Sequence, residues 1–352
     1  MSTSRALLLA PSQGLGGGIE RYIATIEDSF EAEGISFQRM DLRTSDAKST
    51  VADYRGIFSC GRRWIRQGDV PTRIVVAHRT LLPVALATSK TTGNVDGLSV
   101  IVHGNDIWTS RRRAELRLLR VSAVRVVAVS AYSAGAVSHV ANATILPPGL
   151  SRSWYRELNA AADRVRSSAA IPTVLTSFRL AQWRDKGLPA IVEAVELMAR
   201  DVQIKFCGDG TVPQELTDYA ADHPSLTVVA NLLDSELADE MARADVFVLA
   251  TRTRQGGNAT AEGFGLVLLE TQLTGTATIT PAFGGSHEVF HERVTGLSPV
   301  DESPAALASV LRELLNGDVL RLGLASAGQT PVAISIRAAG LCRSGAEKAA
   351  LT

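Results

Sequence analysis

Five short apolar runs in the first half of this chain, Ala6–Ala10, Ile74–Ala77, Val100–His103, Val126–Val129 and Thr144–Leu146, alternate with longer helical or polar stretches. Five more, Thr173–Ser177, Gln203–Cys207, Leu226–Val229, Val246–Leu249 and Ala277–Thr280, resume the rhythm in the second half. Runs of this length and spacing suit parallel strands buried between crossover helices. A chain of 352 residues is too long for one small core and divides naturally into two α/β domains. Between the two sets lie Pro147-Pro148-Gly149 and an Ala- and Arg-rich helical stretch, Asn159 to Ala170, with no strand pattern. We therefore expect one doubly wound domain over 1–160 and another over 168–330, with the junction in that stretch. After Asn316 the strands stop, and Ile334 to Leu351 reads as a small-residue helix carrying Arg337, Arg343 and Lys348.

Composition excludes several classes of function. Lysine plus arginine and aspartate plus glutamate both number 36, so no global basic field points to nucleic acid. Cys60, Cys207 and Cys342 lie far apart without a CxxC or Cys/His spacing, which argues for reduced thiols and against zinc; no metal site is expected. The apolar start is a strand's length and runs into Pro11-Ser12 rather than a cleavage pattern, and no apolar run approaches the roughly 20 residues of a membrane helix. The expected setting is the cytoplasm, at most peripheral at the cytosolic face of a membrane.

The segment richest in chemistry is Glu262-Gly-Phe-Gly-Leu-Val-Leu-Leu-Glu270. Gly263 and Gly265 let backbone approach a ligand, and a helix starting there presents unpaired N–H groups to an anion. The carboxylate before that helix can accept bonds from sugar hydroxyls, and the one two turns on can accept two from a ribose diol. The first strand runs into Pro11-Ser-Gln-Gly-Leu-Gly-Gly-Gly-Ile-Glu-Arg21, a turn able to cradle a pyrophosphate. Its spacing is not GxGxxG, because Ile19 falls where the third glycine belongs, which disfavours a dinucleotide-dependent oxidoreductase although Asp41 stands at a plausible distance for a ribose. His103 ends the third run at a carboxyl edge, where open α/β sheets bind ligands, and Asp106 after it is either functional or a helix cap.

These segments, in this order, resemble the motifs of the retaining GT-B glycosyltransferases of glycosyltransferase family 4. The paired glutamates match, as do a GGxE turn at Gly17 to Glu20, His103-Gly104-Asn105-Asp106, Arg179-Leu180 with Lys186-Gly187, Gly208-Asp209-Gly210, and a GGxxE segment at Gly284 to Glu288. The resemblance implies an α/β GT-B fold: two doubly wound Rossmann-like domains facing a central cleft, with the last helix crossing back to complete the first domain. It implies a retaining, metal-independent hexosyltransferase that uses a UDP- or GDP-sugar as substrate and no cofactor. His103, Glu262, Arg179 and Lys186 would be catalytic; Gly16, Gly17, Gly18, Gly208, Gly263, Phe264, Gly265, Leu266 and Glu270 would hold the donor. Lys186 lies two residues further from Arg179 than is usual, and Arg184 stands in the nearer place.

The expected acceptor is a glycolipid, a polysaccharide precursor or a small metabolite, with the choice among them left open. Two alternatives stay open, a nucleotide-sugar epimerase on the same fold and a nucleotide-sugar-binding partner without turnover. The loop Thr251–Ala261 is either a lid or a surface insertion. The basic stretch from Arg111 to Arg125 is a solvated face or a contact for anionic membrane, and Arg62, Arg63 and Arg66 with Trp64 form a second cluster able to face the acceptor.

Overall fold

The computed structural model describes residues 5–45, 47–108, 116–164, 171–254 and 259–329. The first domain contains strands β1 (Arg5–Ala10), β2 (Ser36–Asp41), β3 (Thr72–Val76), β4 (Val95–Val102), β5 (Val124–Ala128) and β6 (Ala143–Ile145), and helices α1 (Gly18–Ala32), α2 (Val51–Arg66), α3 (Leu82–Thr92), α4 (Asn105–Trp108) and α5 (Ala131–Val137). Helix α6 (Arg152–Arg164) leads to the second domain, with strands β7 (Thr173–Ser177), β8 (Gln203–Gly208), β9 (Leu226–Ala230), β10 (Val246–Val248), β11 (Ala277–Ile279) and β12 (Gly296–Leu297). Its helices are α7 (Leu188–Glu196), α8 (Gln214–Asp222), α9 (Asp234–Arg243), α10 (Leu266–Leu273), α11 (Pro304–Asn316) and α12 (Asp318–Gly328).

The strand orders are β2-β1-β3-β4-β5-β6 and β12-β11-β10-β7-β8-β9, and every pairing is parallel. All ten apolar runs coincide with strands. β2 and β12 are additional. The first is an edge strand, Ser-Phe-Gln-Arg-Met-Asp, whose alternate residues remain partly exposed, and the second is two residues long. Neither had to be apolar throughout, so neither leaves an apolar run in the sequence.

Period two sorts β1 between two cores. Leu7 and Leu9 pack with Ile57, Ile65 and Leu82 on one face, while Ala6, Leu8 and Ala10 join Tyr22, Ile26 and Phe30 on the other. That second core does not stop at the domain boundary. It continues through Trp154 and Leu158 of α6 to Phe247 and Leu266, and α6 lies against α9 and α10. A third core, with Phe206, Ile191 and Leu311, covers the far face of the second sheet. Each fully buried Leu or Phe here contributes about 1.5–3 kcal/mol. The expected terminal helix from Ile334 lies outside the described residues, as do Arg111, Arg112 and Arg113 and the loop tip 255–258.

Both sheets reverse their winding direction, between β1 and β3 in the first and between β7 and β10 in the second. In open α/β sheets the crevice at such a reversal, beyond the strands' carboxyl ends, is where ligands sit. The two crevices face each other.

Candidate active site in the interdomain cleft

A cleft of about 620 Å³ opens between the domains, lined from one side by residues after β1, β3 and β4 and from the other by residues after β7, β8 and β10 and the start of α10. His103, Arg179, Lys186, Glu262 and Glu270 all line it, with Gly17, Gly18, Gly208 and the run Gly263–Leu266. Gly16 lies at its edge against Asp209.

Glu262 is the centre of the second domain's wall. One of its oxygens accepts a bond from Lys186 Nζ at 2.8 Å and another from the Thr251 hydroxyl at 2.9 Å. Burial pushes its carboxyl up, but the Lys186 ammonium, helped by Thr251 and the Gly263 N–H, more than offsets this and holds it below the usual range. The neighbouring arginine goes elsewhere. Arg184 stacks over Trp183 and pairs with Glu215 on an exposed face, so Lys186 is the cation that the fold aims into the cleft.

Gly263 touches the first domain directly: a Cβ on it would stand 2.0 Å from the His103 carbonyl oxygen. Its own carbonyl accepts from the Ser130 hydroxyl at 2.6 Å. Glu288, at the end of the GGxxE segment, accepts from the N–H groups of Ala131 and Tyr132 at 2.9 and 3.1 Å, so this carboxylate caps a helix of the other domain.

His103 is held by its ring. Nε2 donates to the Ala77 carbonyl at 2.7 Å, which leaves Nδ1 without a partner among the described residues. Asp106 is fully buried beneath it, accepting from the N–H groups of His103 and Gly104 at 3.1 and 2.8 Å. Burial raises its carboxyl, yet His78, His103 and those two amides carry it below the usual value. Its geometry is that of a cap.

The glycine turn differs from its expected use. The Glu20 carboxylate accepts from the N–H groups of Gly14, Leu15 and Gly16 at 3.0, 3.2 and 3.2 Å, and from the Ser12 hydroxyl at 2.5 Å. The amide of Gly16 is thus committed within the loop, and its carbonyl faces outward to accept from Arg179 Nη2 at 2.6 Å. A Cβ on Gly17 would lie 2.9 Å from Arg179 Nε.

Glu270 is buried on α10, with Arg21 Nε of α1 at 3.5 Å. Burial raises its carboxyl and Arg21 only partly offsets this. Arg21 also pairs with Asp234 at 2.9 Å and lies over the Trp154 ring. Arg21, Thr251, Ser130 and His78 were not singled out from the sequence. His78 was recoverable, because it follows β3 at a carboxyl edge just as His103 follows β4.

The second basic cluster turns away. Arg62 packs over Phe58, Arg66 donates to the Thr91 carbonyl and Trp64 lies beneath Arg5. The base of the Thr251–Ala261 loop is a short antiparallel bridge between Arg254 and Thr260, tied to Asp185 and Glu302. Among the described residues, no group of three or more His, Cys, Asp or Glu is placed to hold a metal, and no helix is long and apolar enough to cross a membrane.

Two doubly wound parallel domains with such a cleft between their carboxyl edges define the GT-B architecture. Residues 171–317 match the family described as "Glycosyl transferases group 1". The chain is 29% identical over 289 residues to the GDP-mannose-dependent alpha-(1-6)-phosphatidylinositol monomannoside mannosyltransferase of Mycobacterium tuberculosis, covering 76% of this chain and 72% of that protein. Its fold is similar to that of Anabaena Alr3699/HepE in complex with UDP-glucose, with a TM-score of 0.71 and 17% identity over 96% of both chains. It is also similar to sucrose-phosphate synthase from Thermosynechococcus elongatus, with a TM-score of 0.75 and 16% identity over 97% of this chain and 95% of the other. The chain is a glycosyltransferase with the GT-B fold, similar in sequence to enzymes of the family 4 type.

Proposed function

We propose that this enzyme transfers a hexose, with retention and without a metal, from a nucleoside-diphosphate sugar to an acceptor held by the first domain. The observation that carries the reading is the Lys186–Glu262 pair at 2.8 Å, set where Gly263 meets the His103 loop. A donor seated along α10 would place its diphosphate between the α10 N-terminus, Arg179 and Lys186, its ribose at Glu270 and its hexose between Glu262 and His103. Backbone N–H groups from Gly263 to Leu266 and the two cations would stabilise the departing diphosphate. The leaving phosphate oxygen would take the acceptor's proton on the face that the nucleotide vacates, so the C–O bond to the acceptor forms where the bond to phosphate breaks. This keeps the anomeric configuration without a protein nucleophile.

Because Nε2 of His103 is spent on Ala77, Nδ1 is the nitrogen left to meet a sugar hydroxyl. The sequence relative makes a GDP-sugar, GDP-mannose first, the donor to test, and a UDP-sugar the second. Thermal shifts with GDP, UDP, ADP and NAD, followed by transfer from the matching labelled sugar, test this. Stabilisation by one nucleoside diphosphate is expected, at about 2.7 kcal/mol for a hundredfold excess over Kd; stabilisation by NAD alone would overturn the reading.

A further inference from the structure

We propose that the first-domain wall of the cleft contains a subsite for a phosphoryl group on the acceptor, with Arg43 as its cation and Tyr54 and Ser49 as neutral donors. This rests on the glycosyl-transfer reading of the cleft and adds the acceptor's charge to it. Arg43 follows the carboxyl end of β2, and its carbonyl is fixed by the Gln13 N–H at 2.9 Å. It lines the cleft and is half-buried, yet among the described residues its guanidinium has no carboxylate or carbonyl partner.

The other cleft arginines are engaged, Arg21 with Asp234 and Arg179 with the Gly16 carbonyl. Among the described residues, three first-domain carboxylates near this cleft wall are taken. Asp41 pairs with Arg39 at 2.8 Å, Glu20 binds the amides of its own loop, and Asp106 faces the His103 and Gly104 amides. A half-buried cation that keeps part of its hydration and has no counter-charge in the protein is free to take one from a ligand.

The company that Arg43 keeps sharpens the chemistry. Tyr54, from α2, and Ser49 line the same wall, and neither hydroxyl has a partner among the described residues. A neutral sugar surface requires acceptors as well as donors, whereas a fork of five N–H groups with two O–H groups lining the same wall of the cleft suits a tetrahedral oxyanion. That group can belong to a soluble sugar or polyol phosphate or to the headgroup of an anionic lipid.

Calorimetric titration with inorganic phosphate tests the subsite in an Arg179→Gln background, which weakens the donor's diphosphate seat. Phosphate is expected to bind that variant, to bind about tenfold more weakly once Arg43→Gln is added, and to recover in part with Arg43→Lys. Unchanged affinity on adding Arg43→Gln overturns the proposal. Tyr54→Phe gives an independent variant, with a loss of about threefold expected from one hydrogen bond. Displacement of bound phosphate by glycerol 3-phosphate assigns the site to a soluble acceptor. Arg43-dependent sedimentation with phosphatidylglycerol vesicles assigns it to a lipid headgroup, and failure of both overturns it. Stabilisation of the Arg43→Gln single variant by the nucleoside diphosphate reports on the donor reading separately, so the two ideas fail by different signals.

Discussion

The two walls of the cleft treat their charges in opposite ways. On the second domain's wall Lys186 holds Glu262, Arg21 lies beside Glu270, and Arg179 reaches the Gly16 carbonyl. On the first domain's wall Arg43 stands without a counter-charge among the described residues. The difference follows from burial. Glu270 is buried and the Glu262 side chain is only 13% exposed, and an unpaired ion there would cost several kcal/mol, so the fold supplies partners that a ligand exchanges for its own groups. Arg43 keeps part of its hydration and can wait.

The strongest test of this contrast is Glu262→Ala, which should cut sugar transfer about a thousandfold while nucleoside diphosphate affinity, read by thermal shift, stays within about threefold. Near-wild-type turnover would remove Glu262 from the chemistry. Gly263→Ala comes next: a methyl group at 2.0 Å from the His103 carbonyl must push the walls apart, and an ångström of misplacement costs about a hundredfold in rate. Unaltered kinetics would mean that the contact is not part of the working state.

Lys186→Met should lower turnover by about tenfold or more, against less than about twofold for Arg184→Met, since only the first strands a buried carboxylate. The pH profile gives the sign. In the wild type Glu262 is held low, so its stabilisation is present above the unfolded carboxylate value and lost as pH falls through the depressed folded one. Without Lys186, burial dominates, the carboxyl rises, and the acid limb of kcat/KM should move to higher pH.

Glu288→Gln should cost about 1 kcal/mol in unfolding free energy, the value of a helix cap, measured by denaturant titration; no change would mean that the capping bonds carry little. The smallest effect is expected for Glu270→Gln. Burial raises that carboxyl, so ionising it costs stability. The cost is absent below the unfolded value, sets in as pH rises and is complete above the folded value. The variant should therefore melt no lower than wild type at neutral pH while binding nucleotide more weakly; a lower melting temperature would show that the Arg21 contact outweighs burial.

Strands buried on both faces were legible because nothing but apolar side chains satisfies both neighbours. β2, an edge strand, carries no such demand and left no trace. For the site, glycines and charges at carboxyl edges marked the cleft, and the sequence placed Glu262, His103, Arg179 and Lys186 in it. Partnerships across the cleft were not legible. Ser130 meets Gly263 from 133 residues away and Ala131 meets Glu288 from 157, and no local pattern encodes such pairs. The glycine turn shows the same limit within a single loop: the sequence offered amides to a phosphate, and Glu20 takes three of them.

The seam at Gly263 and Glu288 also sets the terms for modular exchange. Grafting a different second domain onto this first domain would keep both sheets intact, since each has its own strands. The graft would have to supply a residue without a side chain opposite the His103 carbonyl and a carboxylate opposite the Ala131 and Tyr132 amides. Fit between exchanged domains therefore depends on these two positions as well as on the shared core and the Arg179 and Arg21 contacts, and recombinants are best screened at those two first.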